Sequence, residues 1–225
     1  MPEPIQRWLR YSQVIEKERT TAVRLKQKGY FRQKEDQEWM PFKAEEYYTT
    51  DPPAFLWAAT VKTAPMLSIK GRDRYYEGKG NMFFKLLSLV TVVNASGSEV
   101  DQGTLLRYLN EIMWFPSAAL SDYIQWEHID SNSAEATMSY QGVTVSAIFY
   151  FNERGELTNM IAERYRDIGG QFVLEKWSTP ISEYGEVKGI RIPTKGEGVW
   201  KLSSGDFSYI KLEIIDIEYK NASMY

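Results

Sequence analysis

The chain has 225 residues and a formal net charge of −3, from 27 Lys+Arg against 30 Asp+Glu. With no Cys and a single His, it excludes disulfide frameworks, thiol nucleophiles, thiolate metal sites and His-rich metal centres. The acidic balance also argues against a nucleic-acid module, which carries a strongly basic face.

An apolar content of 43% and a charged content of 25% describe a globular chain that can bury a core without cross-links. The longest apolar tract, Met82 to Val93, is broken by Lys85 and falls short of the about 20 residues a spanning helix needs. No transmembrane segment and no signal peptide are read, because the start has two prolines and an early acid instead of a basic and then apolar leader. The expected setting is a soluble domain, cytoplasmic, or membrane-associated if an anchor precedes it.

In chain order, Pro2 and Pro4 suit a first helical turn, and Ile5, Trp8, Leu9, Ser12 and Ile15 recur at helical spacing. This predicts an amphipathic helix over Pro4–Lys17. From Thr21 the period changes to two. Val23, Leu25, Gln27, Gly29 and Phe31 alternate with Arg24, Lys26, Lys28, Tyr30 and Arg32, a strand with a basic open face. Strands follow over Trp39–Thr50, Phe55–Val61, Met66–Tyr76 and Asn81–Val93, with a break at Asp51-Pro52-Pro53. Asp101 then reads as the N-cap of a helix whose Leu105, Leu106, Leu109, Ile112 and Met113 share one face. Trp114-Phe115-Pro116 ends it, and Ser117–Leu120 forms a further short helical turn.

Alternation resumes at Ile124, Trp126 and His128, and again over Ala134–Tyr140, Val143–Phe151 and Leu157–Tyr165. Gln171–Tyr184 is a strand bent at Pro180; Ile190–Pro193 continues into Glu197–Leu202, and Tyr209–Tyr219 is the last strand. The expected fold is mainly β (α+β): one domain over 1–225, a single curved antiparallel sheet or half-barrel of about ten strands. An N-terminal helix (1–18) precedes a first meander (20–95). A helical insertion (99–121), covering or plugging the concave face, precedes a second meander (122–220).

Little in this pattern carries chemistry. His128, between Glu127 and Asp130, is either a general base or a surface residue of a strand. There is no nucleophile elbow, phosphate loop or EF-hand, so no cofactor, metal or catalytic residue is assigned. Glu45 and Glu46 take opposite faces of one strand and cannot act as a local pair. Arg72 and Arg164 sit in charged strands; if either points inward it needs a carboxylate or the anionic head of a ligand. Tyr48, Trp57, Trp114, Phe115, Trp126, Phe149 and Tyr184 are placed to face one concave interior. They form either a filled core or the wall of a cavity for a lipid-like or other apolar small molecule.

Those nine residues are the candidate ligand contacts of a non-enzymatic binding domain. Two further readings stay open. One is an interaction or structural module of an envelope-associated protein, offering a strand edge to a protein partner. The other is an enzyme built on Asp73, Asp101, Glu163 and Tyr165.

The stretches PEPIQRWLRY (2–11), KGYFR (28–32), EWMPFKAEEYYTTDPPAFLWAA (38–59), KGRDRYYEGKG (70–80), DQGTLLRYLNEIMWFPSAAL (101–120) and AERYRDIGG (162–170) resemble an uncharacterised bacterial protein family. Its members often carry membrane-spanning segments before this domain. More loosely, the order of elements is similar to the LolA/LolB-type lipoprotein-carrier fold, with FYFNERGELTNMIAERY (149–165) resembling a hairpin of such sheets. That resemblance implies an open β half-barrel, lidded by helices, that holds acyl chains. No lipobox cysteine accompanies it here.

Overall fold

The computed structural model describes residues 1–219; Lys220, the last residue of the expected second meander, lies outside them. Helix α1 (Glu3–Tyr11) leads into six strands: β1 (Ala22–Phe31), β2 (Met40–Thr50), β3 (Pro53–Ala64), β4 (Leu67–Tyr76), β5 (Lys79–Leu86) and β6 (Val90–Ala95). Helix α2 (Ser98–Glu111) and two short 3-10 turns, Ile112–Trp114 and Pro116–Leu120, follow. The second run is β7 (Ile124–Asp130), β8 (Ser133–Tyr140), β9 (Val143–Phe151), β10 (Leu157–Ile168), β11 (Gln171–Ser178), β12 (Ile181–Val187), β13 (Ile190–Leu202) and β14 (Gly205–Tyr219).

All strands join one antiparallel sheet in the order β6-β5-β4-β3-β2-β1-β14-β13-β11-β10-β9-β8-β7, with β12 on β13. Two meanders are therefore joined at the middle, where β1 pairs with β14. The sheet curls until its wings meet: the β4/β5 turn at Gly78 touches Gln141 of the β8/β9 turn, and Tyr75 lies 6.5 Å from Tyr140. Curling this tight needs small residues on the inner face. A Cβ on Gly29 would fall 1.9 Å from the carbonyl of Lys211, and one on Gly71 would fall 2.2 Å from that of Phe83.

The mainly-β half-barrel with an N-terminal and a mid-chain helix is as expected, but it has fourteen strands among the described residues, not ten. The stretch read as one strand over Asn81–Val93 is two. Its turn is made of Leu87, Ser88 and Leu89, with Leu87 and Ser88 in the left-handed region at φ 51° and 61°, and no glycine marks it. Gln171–Tyr184 divides into β11 and β12 around Pro180, which interrupts the ladder. In the opposite sense, Ile190–Leu202 is continuous as β13.

The first helix stops at Tyr11 instead of Lys17, because Gln13 turns left-handed at φ 61°. Helix α2 begins three residues before Asp101, on Gly97 at φ 122°. Asp101 does not cap its own helix. Its carboxylate accepts the Gly80 N–H at 2.7 Å and pairs with Lys79 at 2.8 Å, pinning α2 to the β4/β5 turn.

Two apolar clusters follow. The larger is filled by both helices and the turn after the second: Ile5 and Trp8 of α1, Leu105, Leu106 and Leu109 of α2, and Ile112 of the following 3-10 turn are all at 0% exposure. The smaller, built on Phe42, Ala44, Ala59, Val61 and Phe84, draws its partly buried neighbours from strands alone, with no helix residue.

Candidate functional site

The boundary between the two clusters holds a charged group. The buried leucines fix the roll of α2, which turns Arg107 toward β2, β3 and β4. Its guanidinium spends all three nitrogens on carboxylates. Nη2 donates to Glu46 Oε1 at 2.7 Å, Nη1 to Asp73 Oδ2 at 2.9 Å, and Nε to Glu111 Oε1 at 2.8 Å. Its Cζ stands 5.0 Å from the ring centres of both Phe55 and Trp57.

Strand alternation explains why Glu46 is there: it shares the inner side of β2 with Phe42, Ala44 and Tyr48. Its second oxygen accepts Gln27 Nε2 at 3.0 Å, and Gln27 Oε1 accepts Trp57 Nε1 at 2.9 Å. Tyr48 donates its hydroxyl to Glu111 Oε2 at 3.0 Å.

Three carboxylates around one guanidinium leave two excess negative charges if all ionise. Burial, reinforced by the neighbouring acids, raises the pKa of Glu46 and Glu111, and burial raises that of Asp73. For Arg107, burial pulls the pKa down, but Glu111, Glu46 and Asp73 outweigh it and hold the group charged. Hydrogen-bond geometry places the shared proton. Both oxygens of Glu46 face N–H donors, and Gln27 cannot turn without breaking its bond from Trp57. The Tyr48 hydroxyl can reverse and accept, so Glu111 is where a proton is accommodated.

A second cationic element lies across α2. Arg164, on the inner side of β10, sits 4.5 Å over the Trp177 ring and reaches the Tyr209 hydroxyl at 3.4 Å. Tyr209 also accepts Trp177 Nε1 at 3.2 Å, and its ring lies 6.4 Å from that of Phe31, which packs on the smaller apolar cluster. Arg166, two residues on, stands 5.5 Å from the Phe207 ring and 5.9 Å from that of Trp200.

Among the described residues, neither Arg164 nor Arg166 has a carboxylate within salt-bridge distance, although Arg164 is near enough to help lower the pKa of Asp73. Arg164 Nε and Asp73 Oδ1 are buried without a hydrogen-bond partner. The inner face thus offers guanidinium charge beside an apolar wall.

The nine residues singled out from the sequence fall into different places. Tyr48 and Trp57 belong to the Arg107 cluster, and Arg164 faces it across α2. Trp114 and Phe115 are buried at 3% and 0%, with Phe115 4.7 Å from the Tyr48 ring. Phe149 and Trp126 pack 5.1 Å apart beneath Trp8 of α1. Tyr184 donates to the Leu157 carbonyl at 3.0 Å on β12. Arg72 lies on the outer side of β4, opposite to Asp73.

The four residues weighed for acid–base work do not converge. Asp73 is on the inner face, Asp101 is committed to Gly80 and Lys79, and Glu163 and Tyr165 alternate with Arg164 and so face outward. The sequence reading missed Arg107, Glu111 and Gln27. The signal was present in part: an inward acid at Glu46 demands a cation, and Arg107 with Glu111 has the i,i+4 spacing of a helical pair.

Residues 1–212 match the model of DUF6544, a family of unknown function. The chain belongs to the DUF6544 family. No curated protein matches this DUF6544 sequence. Among solved structures, a putative outer membrane lipoprotein-sorting protein domain from Vibrio parahaemolyticus is similar at 8% identity, covering 98% of this chain and 95% of that one, with a TM-score of 0.55. A DUF1329 family protein from Desulfovibrio piger is similar at 11% identity, covering 98% and 93%, with a TM-score of 0.54. At these identities the likeness is one of fold. Both resemblances drawn from the sequence hold: the family is one of unknown function, and the fold is shared with a lipoprotein-sorting domain. No helix among the described residues is long and apolar enough to cross a membrane.

Proposed function

We propose that this DUF6544 chain is a non-enzymatic binding domain that holds an amphiphile with an anionic head. The observation that carries this reading is Arg164: a guanidinium on the inner face, stacked on Trp177, with a buried partnerless Nε and no carboxylate of its own. A planar anion satisfies such a group in a way that water or a lone hydroxyl does not. Arg166 adds charge on the same side of β10, and the wall of Phe42, Val61 and Phe84 receives the apolar part.

Helix α2 fills the rest of the concavity, so the ligand lies on the helix-free part of the inner face. The fold shared with a lipoprotein-sorting domain supports a lipid-like occupant.

Native mass spectrometry of protein purified from cells, with organic extraction of the same sample, tests the reading. The expected result is an adduct released into the organic phase and depleted in Arg164→Ala. A bare chain mass in every preparation, with nothing extracted, refutes it.

A further inference from the structure

We propose that the outer face of the first meander, with the two hairpin turns at its end, is a docking surface for an anionic membrane. It goes beyond the ligand reading and does not rest on it, since these side chains lie on the opposite side of the sheet from Arg164.

The first observation is apolar. The β3/β4 turn exposes Met66 at 98%, the β5/β6 turn exposes Leu89 at 80%, and Val90, the first residue of β6, is exposed at 61%. The two turns are neighbours: the Leu87 N–H donates to the Ser68 carbonyl at 2.9 Å. Side chains of this size, fully presented at adjacent tips, cost free energy in water and gain it in the interfacial layer of a bilayer.

The second observation is charge, and it decides the occupant. Behind the tips, register places a row across five adjacent strands on the outer face: Lys28 opposite Lys43, Lys43 opposite Thr60, Thr60 opposite Lys70, and Lys70 opposite Lys85. Lys62 lies closer still to the Met66 turn, opposite Ser68. Among the described residues, Lys43, Lys62 and Lys70 have no carboxylate within salt-bridge distance, whereas Lys28 is paired with Glu213 at 3.2 Å.

Lys28, Lys43 and Lys62, with Lys195 and Lys211, line an open groove of about 640 Å³ in which Glu213 is the one acid. Like charges opposite one another on neighbouring strands repel. A chain of net charge −3 that gathers its lysines here is complementary to a negatively charged surface. The apolar tips immediately in front of that band fit a lipid surface and leave an acidic protein's polar face unmatched.

Co-sedimentation with vesicles tests the surface, using phosphatidylcholine alone and phosphatidylcholine mixed with phosphatidylglycerol. The full chain is expected to pellet with the anionic vesicles only, and less as salt rises. Met66→Asp with Leu89→Asp is expected to lower partitioning by about tenfold or more. Each of Lys43→Glu, Lys62→Glu and Lys70→Glu is expected to lower it by about fivefold or more. All five positions are at the surface, and unchanged melting curves of the variants confirm that folding is intact. Equal pelleting with neutral vesicles, no pelleting with anionic ones, or indifference to these substitutions overturns the proposal. So does a concentration-dependent dimer that Met66→Asp abolishes without any vesicle binding. Because Arg164→Ala leaves this surface intact, loss of the inner ligand and loss of vesicle binding are distinguishable.

Discussion

Replacing Arg107 by Met tests the account of the buried cluster. Met keeps an unbranched apolar stem of similar length and removes the charge. The side chains left behind, Glu46, Asp73 and Glu111, are 0%, 3% and 7% exposed, so none can recover its hydration. Removing one partner of a buried ion pair costs about 3–5 kcal/mol. For a chain of this size each kcal/mol lowers the melting temperature by about 2–4 °C, so a fall on the order of 10 °C is expected at pH 7.5.

The pH dependence carries the sign. The folded-state pKa values of all three acids stand above their ordinary values of 4.5 and 3.8, and losing the cation raises them further. A carboxyl raised in the folded state contributes fully below its unfolded value, and that contribution is lost as pH rises through the folded one. The variant's deficit against the parent chain is therefore small near pH 4.5 and grows toward pH 8. Thermal melts followed by circular dichroism at several pH values measure it. A deficit that is the same at pH 4.5 and 7.5, or no deficit at 7.5, refutes the reasoning.

Glu111→Gln is expected to cost less than about 1 kcal/mol at pH 7.5, because the Tyr48 hydroxyl can reverse to accept the new amide. Glu46→Gln sets an amide N–H₂ against fixed donors and is expected to cost about 1–3 kcal/mol, and denaturant midpoints of the pair rank the two. Trp8→Ala, which empties a site packed on Trp126, Phe149 and Phe151, is expected to cost about 3–5 kcal/mol in the same assay. Trp8→Phe is expected to cost much less, because the indole N–H already lacks a partner, and equal losses for the two speak against the packing account.

The half-barrel was legible because strand alternation is a local signal: the parity of Val23, Leu25 and Gln27 on β1, or of Phe42, Ala44 and Glu46 on β2, depends on neighbours in sequence. Turns built from glycine, proline or polar residues were legible for the same reason. The Leu87–Leu89 turn was not, because its residues are as apolar as the strands around it, and its exposure at the end of a hairpin is a tertiary fact.

The site divides in the same way. Parity set Glu45 and Glu46 on opposite faces of β2, but which of them faces inward, and the meeting of Glu46 with Arg107 and Asp73, depends on how α2 lies across three strands. The inward placement of Arg164, left open in the sequence, was settled by the burial of Met160 and Ala162 on the same side of β10.

The β1–β14 pairing has a consequence for how the protein is made. Val23 of the first strand meets Tyr219 of the last, so the middle of the sheet closes only after both meanders have left the ribosome. Contacts of such sequence separation form late and slowly. Until then the first six strands can assemble as a local meander, with Val23 and Leu25 on an unpaired edge able to recruit another nascent chain. Arg24 and Lys26 alternate with those residues along that edge, so the basic side of β1 guards it during synthesis, before Glu218 reaches Arg24 at 2.9 Å.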